Sequence, residues 1–280
     1  MKTLLVPTDF SVNAVNAMKY AIQLAQWIDA KLVFFHSTNI PLSVDLYGAS
    51  KMELAKRSRQ NEEEKTRQLR DLLSKLFANL EIPFDKVNVV SIVESGTLIV
   101  EDIIAAARKY KADMIVTGTH GATGINKLFG SNTSILISKS NVPVLAIPPK
   151  YRFRKLKNIL YATDLKKPMA ELKKIIPLAA AFDAAIDVFN LSYTAGLHEE
   201  QLFRKMTDAS KYESLRFVQL KRNPGETVLQ QLREFLAYRK PDLAVMFHEK
   251  KSFFEGLFAG NMTEELSYDL KGPLLSIRKK

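Results

Sequence analysis

No cysteine occurs among the 280 residues, so a disulfide framework, a thiolate nucleophile and a cysteine-bearing zinc site are all excluded. Histidine is nearly as scarce. His36, His120, His198 and His248 are scattered, and none stands at a metal-ligand spacing such as HExxH. No Gly-x-Ser-x-Gly nucleophile elbow is present. The one tryptophan, Trp27, falls near the apolar stripe of the first predicted helix and reads as packing. No apolar run approaches the roughly 20 residues that a bilayer span requires. Met1–Pro7 is also too short a hydrophobic run for a signal peptide, and Asp9 follows at once. A cytoplasmic protein without a membrane segment is the expectation.

The length suggests about two domains of ordinary size. Net charge is +11, which invites a nucleic-acid reading. The excess is spread, however, with 18 basic against 14 acidic residues up to residue 150 and 23 against 16 beyond it. Acids interleave with bases, as in Glu62-Glu63-Glu64-Lys65, and no nucleic-acid module is recognisable. The reading therefore favours solvated charged faces over a polyanion surface. The most basic stretch, Lys150-Tyr151-Arg152-Phe153-Arg154-Lys155-Leu156-Lys157, reads as a charged linker.

Four segments recur in the same order. Leu4-Leu5-Val6-Pro7-Thr8-Asp9-Phe10 returns as Ile159-Leu160-Tyr161-Ala162-Thr163-Asp164-Leu165, and Lys31–His36 returns as Ala185–Asn190. Ala112-Asp113-Met114-Ile115-Val116 returns as Pro241-Asp242-Leu243-Ala244-Val245, and Val142–Ile147 as Gly272–Ile277. One unit has been duplicated. The second copy is shorter, its loss falling between its second and third strands, where the helix expected over 51–78 shrinks to His198–Tyr212.

Within the first unit, short uniformly apolar runs predict strands at Leu4–Val6, Leu32–Phe35, Val87–Val93, Met114–Val116 and Val144–Ile147. Helical spacing predicts a helix N-capped by Ser11, with Val15, Met18, Ala21, Ile22, Ala25 and Ile28 buried. It also predicts the long 51–78 helix with Leu69, Leu72, Leu73, Leu76 and Phe77 inward, one opening at Gly96-Thr97, and one over Asn132–Ser140. Strands that alternate with helices and are apolar on both faces indicate a parallel sheet covered on both sides. The expected fold is α/β: two tandem doubly wound five-stranded parallel-sheet domains, at residues 1–149 and 158–280, joined by a linker at 150–157.

One segment has chemical character. Thr117-Gly118-Thr119-His120-Gly121-Ala122-Thr123-Gly124 leaves the fourth strand, and Gly130-Ser131-Asn132-Thr133 runs into a helix. Ligands of open α/β sheets sit beyond the carboxyl ends of the strands, and a glycine-rich helix start suits a phosphate. The segment is neither a Walker A loop nor a dinucleotide fingerprint. The alternative is a turn that needs glycines for geometry alone.

Pro-Thr-Asp-Phe-Ser after strand one, Gly-Thr-His-Gly after strand four, Gly-Ser, and a closing Val-Pro-Val-Leu strand together resemble the universal stress protein family, twice over along the chain. The resemblance implies a Rossmann-like fold of the adenine-nucleotide α-hydrolase type. It implies an ATP-binding stress-response sensor or scaffold, with or without Mg2+, that is not an enzyme beyond slow ATP hydrolysis. Gly118, Gly121, Gly130 and Ser131 match the family's nucleotide pattern, with eight residues between Gly121 and Gly130 where the pattern has nine. By the same resemblance, Pro7, Thr8 and Asp9 would line the adenosine side and Ser37 would present backbone to adenine. Thr117, Gly118, His120 and Gly121 would wrap ribose and phosphates, and Gly130, Ser131, Asn132 and Thr133 would hold the phosphate tail. For Asp9 the alternative is a loop carboxylate capping the next helix; for His120 it is an exposed loop histidine.

In the second copy Phe247 stands at Gly118, Lys250 at Gly121, Ala162 at Pro7 and Asn261 at Ser131, while Thr163, Asp164 and Gly260 remain. No nucleotide is expected there. The family resemblance implies pairing of the two last strands within the chain, and leaves a monomer or a homodimer open. Two other readings stay open: a nucleotide-free protein-interaction module of the same fold, and an adenylate-transferring enzyme of the related α-hydrolase type.

Overall fold

The computed structural model describes residues 2–39, 51–119, 131–192, 197–248 and 272–279. The first apolar run forms β1 (Thr3–Pro7). Ser11 then stands in extended conformation with its hydroxyl accepting from the Ala14 N–H, which opens α1 (Val12–Ile28) with a side-chain cap. There follow β2 (Lys31–Asn39), α2 (Lys51–Asn79), β3 (Val89–Gly96), α3 (Ile99–Lys109), β4 (Met114–Gly118), α4 (Ser131–Lys139) and β5 (Val144–Ile147). The second half repeats the series as β6 (Asn158–Ala162), α5 (Pro168–Phe182), β7 (Ala185–Ser192), α6 (Leu197–Ser210), β8 (Leu215–Lys221), α7 (Val228–Arg239), β9 (Leu243–His248) and β10 (Leu274–Arg278).

All ten strands belong to one sheet, in the order β3-β2-β1-β4-β5-β10-β9-β6-β7-β8. Each half is a doubly wound parallel set in which the first strand lies beside the fourth. The halves meet at an antiparallel seam, with Leu274 opposite Ala146, Leu275 opposite Leu145 and Ser276 opposite Val144. Alternation along the strands sends Leu4, Val6, Leu32 and Phe34 to the face covered by α1 and α2, and Leu5, Val33 and Phe35 to the face covered by α3. Both faces are dry, which is why the strands carry unbroken apolar runs. Each of the two cores extends across the seam into the second half.

A carboxylate starts each parallel set. Asp113 Oδ2 accepts from the Lys2 and Thr3 N–H groups at 2.7 and 3.0 Å. Its repeat, Asp242, accepts from Lys157 and Asn158 at 2.8 and 3.0 Å. The first residues of β1 and β6 are thereby held against the strands that become their neighbours.

Two expectations change. The third strand runs on to Gly96, paired with Asn39, so the next helix begins at Ile99 and not at Gly96-Thr97. The segment at 150–157 is also more than a charged connector. Leu156 is buried, and Tyr151 and Phe153 pack against the core beside Tyr20 of α1, whose ring lies 5.2 Å from Phe153 and 6.2 Å from Tyr151. Arg154 pairs with Asp242 at 2.8 Å. The bases of this stretch alternate with apolar side chains, so one edge faces water and the other the protein.

Candidate functional site

The strand order of the first half reverses between β1 and β4, and the crevice outside the carboxyl ends of those strands is where such sheets take ligands. On its β1 side the Thr8 N–H donates to Phe35 O at 2.9 Å, carrying the strand pairing one step past Pro7. Thr8 Oγ1 then accepts from the Phe10 N–H at 3.1 Å and Asp9 Oδ1 from the Ser11 N–H at 3.0 Å. Phe10 sits between them in the left-handed region at φ 62°. Asp9 is exposed at the rim of this turn, while Pro7 and Thr8 are buried behind it. Its bond to Ser11 shows the helix-entry role that the sequence leaves open for this carboxylate.

His36, within β2, ties into the same turn. Its Nδ1 lies 2.7 Å from Thr8 O, and because a carbonyl only accepts, that nitrogen carries the proton. The ring lies 4.6 Å from Phe10, and burial holds its pKa below the ordinary imidazole value. In the second half Asn190 makes the equivalent bond, from Nδ2 to Thr163 O at 2.9 Å.

Beside it, the Ser37 hydroxyl donates to Asp102 Oδ2 at 2.7 Å. That carboxylate lies so close to Gly96 that a Cβ there would stand 1.9 Å from Oδ2. Further out, Ser95 Oγ is 2.7 Å from Ser58 Oγ and 3.2 Å from Thr38 Oγ1, and the Ser95 N–H donates to Glu62 at 3.1 Å. Asp102, Ser95 and Ser58 are absent from the sequence-derived site. The sequence offered no signal for them, since Gly96-Thr97 reads there as the opening of a helix and not as the end of a strand.

On the β4 side, Thr117 is half-buried and Gly118 fully so. A Cβ on Gly118 would lie 2.8 Å from Asn13 O and 3.1 Å from the Asn13 carbonyl carbon. The glycine therefore lets the end of β4 abut the first turn of α1, a packing reason separate from any ligand. Gly118 O accepts from the buried Thr133 hydroxyl at 2.8 Å, which anchors α4 to β4. Thr119 N–H donates to Ile147 O at 3.0 Å. Asn132 is exposed, and Ser131 opens α4. Thr8, Asp9, Gly118, Thr119 and Thr133 are thus gathered at the switch point, and Ser37 stands one strand away, engaged with Asp102. His120, Gly121 and Gly130 lie outside the described residues.

The repeated crevice has a different filling. The turn is the same, with Leu165 at φ 59°, Thr163 Oγ1 accepting from Leu165 N–H and Asp164 Oδ1 from Lys166 N–H. Phe247, in the place of Gly118, is buried edge-on to Tyr161 at 5.8 Å. Lys279 reaches in from beyond β10, its Nζ 2.8 Å from Asp164 Oδ1 and 3.2 Å from Glu171 Oε1.

Among the described residues no group of three or more His, Asp and Glu side chains could hold a metal ion, and no helix is long and apolar enough to cross a membrane.

A ten-stranded, mostly parallel sheet with doubly wound halves defines the class: a Rossmann-like α/β fold. The profile of the universal stress protein family matches residues 1–148, and the chain belongs to that family. A universal stress protein of Methanocaldococcus jannaschii is 29% identical over 147 residues, covering 52% of this chain and 81% of that protein. A universal stress protein structure from Archaeoglobus fulgidus superposes with a TM-score of 0.69 at 13% identity, covering 99% of this chain and 96% of that one. The structure of a putative universal stress protein from Pseudomonas aeruginosa gives 0.56 at 14% identity, covering 99% and 93%. At such identities the structures share the fold with this chain.

Proposed function

We propose that the protein is an adenine-nucleotide-responsive stress protein of the cytoplasm, a sensor or scaffold whose first half binds ATP, with or without Mg2+, and hydrolyses it slowly if at all. The division of labour is between residues 1–149, which take the nucleotide, and residues 158–280, which do not and serve as a built-in partner through the β5–β10 seam.

The observation that carries this reading is the convergence of Asp9, Gly118, Thr119 and Thr133 at the first switch point, beside the start of α4. Asp9 would accept from ribose or base hydroxyl and amino groups. Pro7, Thr8, Ser37 and Thr117 would line the adenosine side, with Ser131 and Asn132 at the phosphate tail, where the α4 backbone N–H groups favour an anion. His120, Gly121 and Gly130 join this set through the family pattern alone.

A second reading has its own support. Gly118 is required by its contact with α1, so its presence does not by itself speak for a ligand. With the eight-residue spacing between Gly121 and Gly130, this supports a nucleotide-free protein-interaction module.

Titration calorimetry of ATP with Mg2+ into the full chain, repeated with Gly121→Phe and Asp9→Ala, separates the two. Binding that both substitutions weaken tenfold or more, while Lys279→Met leaves it unchanged, supports the first reading. No binding heat, together with no nucleotide released on denaturation, supports the second.

A further inference from the structure

The positions that line the second crevice have changed together. Relative to the first half, Tyr161 stands at Val6, Glu171 at Asn16 and Lys279 at Pro149, while Asp164 repeats Asp9. In the first half Asn16 Nδ2 donates to Pro148 O and Tyr151 O at 3.2 and 3.1 Å, a neutral tie to the chain leaving β5. In the second half the corresponding connection is ionic. Neighbouring strands lie about 4.8 Å apart, so the Lys279 side chain crosses the end of β9 to reach from β10 to the turn after β6.

We propose that the second crevice is a cation site whose ligand the chain supplies itself: the Lys279 ammonium, held by Asp164 and Glu171, occupies the switch point and locks β10 to β6 and α5. The lysine side chain is 10% exposed, Glu171 5% and Asp164 42%, so the site is closed on the protein side and open at one carboxylate. Tyr161 donates to Glu171 Oε2, and its hydroxyl lies 3.0 Å from Thr163 Oγ1. Glu171 Oε1 accepts no hydrogen bond of ordinary geometry among the described residues, and its compensation is the ammonium 3.2 Å away. Without that cation a buried carboxylate would be stranded, at a cost far above that of a surface pair. Lys166, 3.7 Å from Asp164 Oδ2, is largely solvent-exposed and is no substitute.

The chemistry also decides what the site refuses. The Lys279 ammonium already engages both carboxylates, and Phe247 fills the floor of the crevice, so a polyphosphate meets steric exclusion. The site takes a primary ammonium. This deepens the reading that the second half binds no nucleotide, but the occupancy stands whether or not the first half binds ATP.

The test uses the full chain and thermal unfolding, without nucleotide. Lys279→Ala is expected to lower Tm by about 5 °C or more, as loss of one partner of a buried pair should in a chain of this size. Because the substitution removes three methylenes and the amine, n-propylammonium chloride is expected to return roughly 2 °C or more of that loss by occupying the vacated site. Sodium chloride at equal ionic strength should not, and the unsubstituted protein should respond equally to both salts. A loss of less than about 1 °C, within the range of an ordinary surface change, or equal recovery in both salts, overturns the proposal. Should Lys279→Ala not fold, the double variant Lys279→Met/Glu171→Gln decides. If it folds, the stranded carboxylate was the defect and the proposal holds; if it also fails, the ammonium was not what mattered. Failure of ATP to bind in the calorimetric experiment would leave every one of these outcomes unchanged.

Discussion

Trp27 on α1 lies stacked on Phe182 on α5, with ring centroids 5.4 Å apart and planes at 29°. The contact joins the two halves on one face of the sheet, and Phe153 from the connecting segment lies 6.3 Å from Phe182. Trp27 is 47% exposed and Phe182 fully buried, so the two truncations should differ. Phe182→Ala should cost about 3–5 kcal/mol and Trp27→Ala roughly 1–2 kcal/mol. A double-mutant cycle should return about 0.5–1.5 kcal/mol of coupling, measured by urea unfolding.

Because the chain has a single tryptophan, its fluorescence reports on this junction alone. Both cores cross the seam, so the halves are expected to unfold together. Fluorescence and far-UV circular dichroism should then give coincident urea transitions. A fluorescence change well before the loss of secondary structure would mean that the halves part first.

The two crowded glycines predict opposite responses to compensation. Gly118→Ala drives a methyl into the backbone of Asn13, and should destabilise by about 1–3 kcal/mol, with no side-chain change able to relieve it. At Gly96→Ala the three atoms nearest the new methyl all belong to the Asp102 carboxylate. Its cost should be largely recovered by Gly96→Ala/Asp102→Ala, apart from the lost Ser37 hydrogen bond. Denaturation midpoints of the three variants check this.

His36 fixes a pH dependence. Burial first of all lowers its folded pKa, so on acidification the unfolded chain takes up the proton before the folded one does. Stability should fall as pH drops below about 6.5, the free imidazole value. His36→Asn, which copies the tie made by Asn190, should flatten the urea midpoint between pH 7.5 and 5.5. Asp164 acts in a lower window. Burial is the largest single influence and opposes its ionisation, but the hydrogen bonds from Lys279 and the Lys166 N–H, together with the charges of both lysines, outweigh it and leave its pKa below the usual carboxylate value. Its contribution is present above about pH 4 and is lost as pH falls through the lowered folded value.

The fold was legible because periodicity and internal repetition are local signals. Uniformly apolar runs at Leu4–Val6 and Val144–Ile147 can only be strands covered twice, and Ser11 announces a helix by its own chemistry. What sequence could not supply was partnership across distance. Asp113 and Asp242 are visible as a repeated pair, but their role in receiving strand N–H groups more than 80 residues away appears only in three dimensions. Gly118 read as a place for a ligand, and the close neighbour is the Asn13 backbone. Lys279 gave no signal at all, since it meets Asp164 from 115 residues away, across an intervening strand.

The antiparallel seam gives the molecule two poles. Strands of the first half all point one way and strands of the second half the other, so the Asp9 turn opens at one rim of the sheet and the Lys279 lock at the opposite rim. A guest at one rim cannot touch the other. Whatever one crevice experiences can reach the other only lengthwise, through the strands and the two helix layers they share, as strain passes along a beam held at both ends.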